Sequence, residues 1–306
     1  MKENHPLDFL TDWFNARWAP QMGSIDGHDV SFLAALFGQH EPRQIVEIGC
    51  ASGLSTSVLA MLAQRNGSAS IASFDTAHQF YGDRSKPLGY LLNEALPHPD
   101  VSVQLFPGCD SLDVAEKIKE PIDLCFIDAL HKHPWPLVDT MVMLPLMKPG
   151  GIIVHHDLHM FLNKGHFATG PKVLHDRVPP KMQLNFRDLV DRNSHGRLLT
   201  RPFANNIYAF RVPQDIRSLA EKLSLGFCIG WDVNEQKVNW VHQDFALALR
   251  SIMKENYDPQ VLQNFNVGYS RYRSLGSQQQ VQTPPLQAEI SLPRRAWRKL
   301  CRTIRA

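Results

Sequence analysis

No stretch of this 306-residue chain approaches the roughly 18–20 consecutive apolar residues needed to cross a bilayer. The first segment, MKENHPLDFLTDWF, lacks a secretory pattern too: acids and a proline stand where a basic start and an unbroken apolar stretch are required. Cysteine is sparse. The five present (Cys50, Cys109, Cys125, Cys228, Cys301) are scattered and form no CxxC pair. That excludes a disulfide scaffold or a Cys-ligated zinc ribbon and fits a reducing cytoplasmic setting. Charge is scarce as well, with 20% charged residues and a net charge of +2. Six of the cations (Arg294, Arg295, Arg298, Lys299, Arg302, Arg305) crowd into the last thirteen residues without an acid, so the remainder is net acidic. An acidic body argues against nucleic acid as a partner over most of the surface. What the chain does have is 43% hydrophobic residues, enough for a sizeable core and too many for wholesale disorder.

Periodicity divides the chain into four parts. Residues 1–40 read as helical: Leu7, Leu10, Phe14 and Trp18 keep near-helical spacing, Pro20 and Gly23 end that run, and a second helix covers about Val30 to Phe37. Residues 41–212 form the main domain, in which short apolar strands alternate with helices. The strands are QIVEI, SIASF, VSVQLF, IDLCFI and GIIVH; the helices are LSTSVLAMLAQR, a segment near 84–96, SLDVAEKIKE and PLVDTMVMLPLM. Such alternation predicts an α/β fold, a Rossmann-like open, mostly parallel sheet with helices on both faces. One more helix and two strands, the last at Asn206–Val212, predict an antiparallel closing strand. Residues 213–274 are a helical C-terminal region, and 275–306 a Gln/Ser/Pro-rich flexible linker followed by a basic tail.

The chemistry gathers at strand ends. The first strand runs into Glu47-Ile48-Gly49-Cys50-Ala51-Ser52-Gly53 and then a helix. Gly49 and Gly53 allow a tight turn against a ligand, but their spacing is not that of the GxGxxG dinucleotide loop. An acid before the first glycine is awkward for a diphosphate and suits a cationic ligand. The second strand ends in Asp75, where an acid can accept both hydroxyls of a ribose. Gly108-Cys109-Asp110-Ser111 follows the third strand, Asp128 ends the fourth, and His155-His156-Asp157 ends the fifth. In open α/β sheets, ligands bind at these carboxyl ends.

With EIGCASG, Asp75, PGCDS, FIDALH and MKPGG in this order, residues 28–212 resemble the class I S-adenosylmethionine-dependent methyltransferases. The nearest subgroup is the small-molecule O-methyltransferases acting on sugars, macrolide glycosides and catechols. The resemblance implies that Glu47, Gly49, Ala51 and Gly53 hold the methionine part of S-adenosyl-L-methionine, Asp75 the ribose and Asp110 the adenine region, with Asp128 closing the cofactor site. Ala51 departs from the glycine of many members. His131, three residues after Asp128, sits where catechol-type relatives carry lysine and sugar-type relatives often carry histidine. Imidazole titrates near neutrality, so His131 is the candidate general base for an acceptor hydroxyl. A plain solvated loop, His131-Lys132-His133, is the competing reading.

Metal-dependent members place acids at the positions of Asp128 and Asp157, which implies a divalent cation (Mg, Mn, Fe or Zn) with His156 as a third ligand. Two oxygens and an imidazole suit Mn, Fe or Zn better than an all-oxygen magnesium site. Catechol-type enzymes have asparagine after the second acid, and here it is Leu158. The competing reading has His156 and Asp157 merely shaping the pocket. Two other function classes compete with a methyltransferase of small hydroxylated acceptors. One is a metal-dependent hydrolase or oxygenase using Asp128, His156 and Asp157, which leaves Asp75 and the glycine loop unexplained; the other is a non-catalytic scaffold. The aromatic set Phe9, Trp13, Phe14 and Trp18 either caps the acceptor pocket or packs on the core. His78 to Gly82 reads as a cofactor lid or a plain loop. In the tail, Trp297, Leu300, Cys301 and Ile304 share one helical face among cations, a pattern for weak contact with an anionic membrane surface or an acidic partner. The helices of 213–274 cover the acceptor or join two copies in a homo-oligomer.

Overall fold

A computed structural model describes residues 7–18, 25–95, 100–190, 206–233 and 241–280, with side chains as far as residue 273. Seven strands, β1 (Gln44–Ile48), β2 (Ala69–Asp75), β3 (Val101–Pro107), β4 (Ile122–Ile127), β5 (Met147–His155), β6 (Gln183–Leu184) and β7 (Tyr208–Arg211), form one sheet. Their order is β3-β2-β1-β4-β5-β7-β6. The first five pair in parallel, and β7 runs antiparallel to both β5 and β6. This is the open sheet and antiparallel closing strand expected above. The chain lays β1 to β3 outward on one side, then returns past β1 to lay down β4 and β5. The resulting switch point lies between β1 and β4, where side chains from both halves can converge.

Alternation along the strands builds two cores. Val46, Ile48, Cys125, Ile127 and Ile153 face one layer, and Ile45, Leu124, Phe126, Ile152 and Val154 the other. The second layer holds α1 (Asp8–Arg17), α2 (Gly27–His40) and α3 (Leu54–Gln64). Trp13 and Phe14 of α1 are buried there while Phe9 stays exposed, so the N-terminal aromatics act mainly as core. Helix α2 begins with a capping box in which the Asp26 carboxylate accepts the Asp29 amide and the Asp29 carboxylate accepts the Asp26 amide.

Two expected helices are shorter than their patterns. Among the described residues of the 84–96 segment, only α4 (Leu92–Ala95) is helical, because Pro87 and Gly89 hold the preceding residues in turns. After β3, a single 3-10 turn at Ser111–Asp113 and α5 (Val114–Lys117) replace the ten-residue helix. Helix α6 (Trp135–Met143) carries the opposite layer together with α7 (Gly170–His175), while α8 (Phe186–Leu189) packs through Phe186 in the layer of α2. Helices α9 (Ile216–Ser224), α10 (Gln243–Asn256) and α11 (Pro259–Gln280) pack beyond α6, where the Tyr257 hydroxyl donates to the Met141 carbonyl at 2.7 Å. Helix α11 runs to Gln280, six residues past the expected boundary at 274, so the linker does not begin at 275. The basic tail lies outside the described residues. Among the described residues, no helix is long and apolar enough to cross a membrane.

Candidate active site

At the switch point β1 and β4 come so close that a Cβ on Gly49 would meet the Asp128 carbonyl oxygen at 2.1 Å. Gly49 has φ +99° and Gly53 φ +84°. A Cβ on Gly53 would meet the Gly89 backbone at 2.8 Å. Both glycines are therefore demanded by neighbouring protein backbone, whatever ligand lies above them. Ala51, also left-handed at φ 48°, holds the same tight loop with a side chain in place.

The loop is tied to the end of β2. Asp75 Oδ2 accepts the amides of Cys50 and Ala51, each at 3.0 Å, and Oδ1 accepts that of Ala77 at 2.8 Å. A carboxylate offers about four lone-pair sites, so this arrangement leaves room for about one hydroxyl rather than the two of a ribose. Glu47 is fully buried beneath the loop, its Oε2 accepting from Thr56 and Ser73 at 2.5 Å each. Burial pushes its carboxyl up to about 7, with the hydroxyls of Ser55, Ser73 and Thr56 pulling it down and Asp128 pushing it up. Glu47 thus clamps α3 to β2 from below the loop. Asp110 caps the 3-10 turn after β3 by accepting the Leu112 amide at 2.9 Å. Beside it, Ser111 donates at 2.6 Å to Asp139, whose carboxyl burial pushes up to about 6.

The ends of β4 and β5 form a second, denser cluster. His131 Nε2 lies 3.2 Å from Asp128 Oδ1 and 3.2 Å from Asp157 Oδ2. His156 Nδ1 lies 3.3 Å from Asp128 Oδ1 and 3.6 Å from Asp157 Oδ1. One potential ligand atom from each of these four residues lies within 4.8 Å of the others. Donors bonded to one transition metal at about 2.0–2.2 Å stand about 3–4 Å apart, so the donor set fits a divalent cation. Burial alone would push the Asp128 carboxyl up; His156 and His131 outweigh it and hold that group well below the usual range. Burial likewise opposes charge on His156, but Asp128, Asp29 and Asp157 raise it well above the ordinary value. Asp157 has φ 62°, and Asn206, just ahead of β7, donates to its Oδ1 at 2.7 Å.

Strand alternation separates the neighbouring histidines. His155 turns to the α6 layer, where it bonds Thr140 at 2.8 Å, and burial drives its imidazole down to about 3. His133 is buried against the Gly226 carbonyl at 3.0 Å, so the segment after Asp128 is not a wholly solvated loop. Tyr81, in the segment read as a lid, packs on Phe80 with centroids 5.0 Å apart. Its phenol is raised first by burial and then by Asp128, Asp157 and Asp75.

Sequence reasoning missed Asp29 and Asn206. The available signal for Asp29 was a carboxylate at the start of a face completed by Leu33, Leu36 and Phe37, all buried.

Residues 46–158 match the family model described as a methyltransferase domain. They span every predicted site residue, and leave Asp29 and Asn206 outside. That match covers 113 of the 306 residues and agrees with the resemblance the motifs carry. No curated protein matches the sequence. Among solved structures it is similar to cofactor-bound Rv0187 from MTB, with 18% identity, 70% of this chain and 92% of that chain covered, and a TM-score of 0.44. It is also similar to the O-methyltransferase TomG of Streptomyces achromogenes, solved with SAM, at 19% identity, 69% and 91% coverage and a TM-score of 0.39. A third is an O-methyltransferase of Bacillus cereus in complex with SAH, at 19% identity, 69% and 92% coverage and a TM-score of 0.37.

Proposed function

We propose that this protein moves the methyl group of S-adenosyl-L-methionine to a hydroxyl of a small acceptor, such as a sugar or glycoconjugate. The observation that carries the reading is the meeting of Asp128, His131, His156 and Asp157 beside the Glu47–Gly53 loop at the switch point. The loop with Asp75 takes the donor. Asp110 and Ser111 bound its adenine end.

Transfer from a sulfonium is an in-line displacement. The acceptor oxygen forms a bond to the methyl carbon as the carbon–sulfur bond breaks, and sulfur leaves with that electron pair as a neutral thioether. The hydroxyl proton needs a destination, and His131 supplies one. With Nε2–H turned to Asp128 and Asp157, Nδ1 is the ring nitrogen left to accept it, and the carboxylates stabilise the imidazolium that forms. Asp128, His156 and Asp157 would hold a divalent cation, which when bound lowers the pKa of a ligated hydroxyl. The remaining contribution is alignment of donor and acceptor, which supplies much of the rate in such displacements.

Calorimetry with S-adenosylhomocysteine tests the donor half. Wild type should bind, and Asp75→Ala should bind far more weakly. A silent wild type would end the proposal. For the acceptor half, release of S-adenosylhomocysteine from S-adenosylmethionine is followed over a panel of hydroxylated glycosides. His131→Ala should abolish release while leaving donor binding intact.

A further inference from the structure

His156 is gripped from both sides. Its Nδ1 faces Asp128 and Asp157, while Nε2 lies 2.9 Å from Asp29 Oδ2, a residue 127 positions earlier on α2. Both side chains are almost fully buried, at 3% and 2% exposure. Asp29 Oδ2 also accepts the Asp26 amide at 2.7 Å, whereas its buried Oδ1 has no hydrogen-bond partner. A residue needed only to close a capping box could be a solvated glutamate or glutamine. Burying a carboxylate with one oxygen unpaired carries a desolvation cost that capping does not explain. Contact with the far nitrogen of a ligand histidine does explain it. Such a carboxylate fixes which ring nitrogen faces the metal and locks the ring's orientation.

We propose that Asp29 is a positioning residue for a divalent-cation site formed by Asp128, His156 and Asp157, holding His156 so that Nδ1 is its donor atom. The inference rests on the metal-assisted reading above and adds to it that α2, outside the methyltransferase-domain match, completes the site. Docking of the N-terminal helices and cation affinity are then coupled.

The test titrates Mn²⁺ or Zn²⁺ alone into the full chain by calorimetry, with S-adenosylhomocysteine titrated in parallel. Asp29→Ala should weaken cation binding by about 10–100-fold and leave S-adenosylhomocysteine affinity within about twofold. Asp29→Asn keeps an acceptor oxygen for both the cap and the imidazole, and should fall between Asp29→Ala and wild type. Asp26→Ala removes the other half of the capping box without touching His156, and should bind the cation as wild type does. Equal losses in Asp26→Ala and Asp29→Ala would overturn the inference, since helix fraying would then be the cause. Unchanged cation affinity in Asp29→Ala would also overturn it, leaving the metal-assisted reading standing. A wild type that binds S-adenosylhomocysteine but no cation would remove both. Should Asp29→Ala fail to fold, ring nitrogen shifts of His156 in the Zn²⁺-loaded wild type decide: ligation through Nδ1 supports the assignment, and ligation through Nε2 sinks it.

Discussion

Glu47 and Asp128 end adjacent strands, yet their surroundings drive their carboxyls in opposite directions. Asp128 is held low by two imidazoles, and Glu47 is lifted to about 7 by burial. For Glu47 the shift is a statement about stability. Below pH 4.5 the folded and unfolded chains both hold the proton; between 4.5 and about 7 only the folded chain keeps it. The fold therefore loses stability as pH rises across that window, by about 3 kcal/mol in full. Glu47→Gln should abolish that segment of the pH dependence. By urea denaturation, the stability of wild type relative to the variant should rise as pH falls from 8 to 5, and parallel profiles would refute the assignment. Ala51 offers a second test on the same loop. At φ 48° an L-residue is strained by about 1–2 kcal/mol, of which the greater unfolded-state freedom of glycine cancels a part. Ala51→Gly should thus raise stability by about 1 kcal/mol, seen as a higher melting temperature, with S-adenosylhomocysteine affinity preserved.

Among the elements, the loop carrying His131 is set by its neighbours. The Gly170 amide donates to the His131 carbonyl at 3.1 Å, and the Asp232 amide donates to the His133 carbonyl at 3.1 Å while the Asp232 carboxylate accepts from Thr169. A Cβ on Gly170 would lie 2.5 Å from that His131 oxygen and 2.6 Å from Pro136 Cδ. Gly170→Ala must therefore push the loop, at a cost of about 1–3 kcal/mol. Methyl transfer should slow while donor affinity stays near wild type; a change confined to donor affinity would contradict this placement of His131. Such cross-chain clasps are where sequence reading runs out. The five parallel strands were legible because strands buried on both faces are short apolar runs, and the strand-end acids Asp75, Asp128 and Asp157 followed from them. The helices near 84–96 and 111–120 were not, since they are cut short by the turns at Pro87 and Gly89 and by the extended backbone at Ile118. Asp29 went unread, because its partner His156 is distant in sequence. Gly49 and Gly53 looked like ligand glycines, because the backbones that crowd them arrive from β4 and from the turn at Gly89.

The whole molecule sets buried titratable groups of opposite sense in one fold. Asp139 resembles Glu47: burial lifts it to about 6, with Ser111 pulling it down, so the folded chain takes up its proton before the unfolded chain does as pH falls. His155 and His133 work the other way. Burial lowers them to about 3 and about 4, so below pH 6.5 the unfolded chain gains protons that the folded chain refuses. Stability from the two histidines is therefore present above pH 6.5 and lost as pH falls toward 4 and then 3. Glu47 and Asp139 return stability over pH 7 to 4.5 and 6 to 3.8 respectively. Between about pH 6 and 4.5 the two pairs nearly cancel, and below 4.5 the histidine losses go unopposed by Glu47 and are joined by the protonation of unfolded Asp128. The expected profile for wild type is a plateau from pH 6 to 4.5 followed by a steep fall. In the double variant Glu47→Gln, Asp139→Asn the plateau should vanish, and stability should decline steadily from pH 6.5 downward. Urea denaturation at half-unit pH intervals on the two chains measures this directly. A plateau that survives in the double variant would mean that His155 and His133 protonate inside the fold, which their burial against Thr140 and the Gly226 carbonyl opposes.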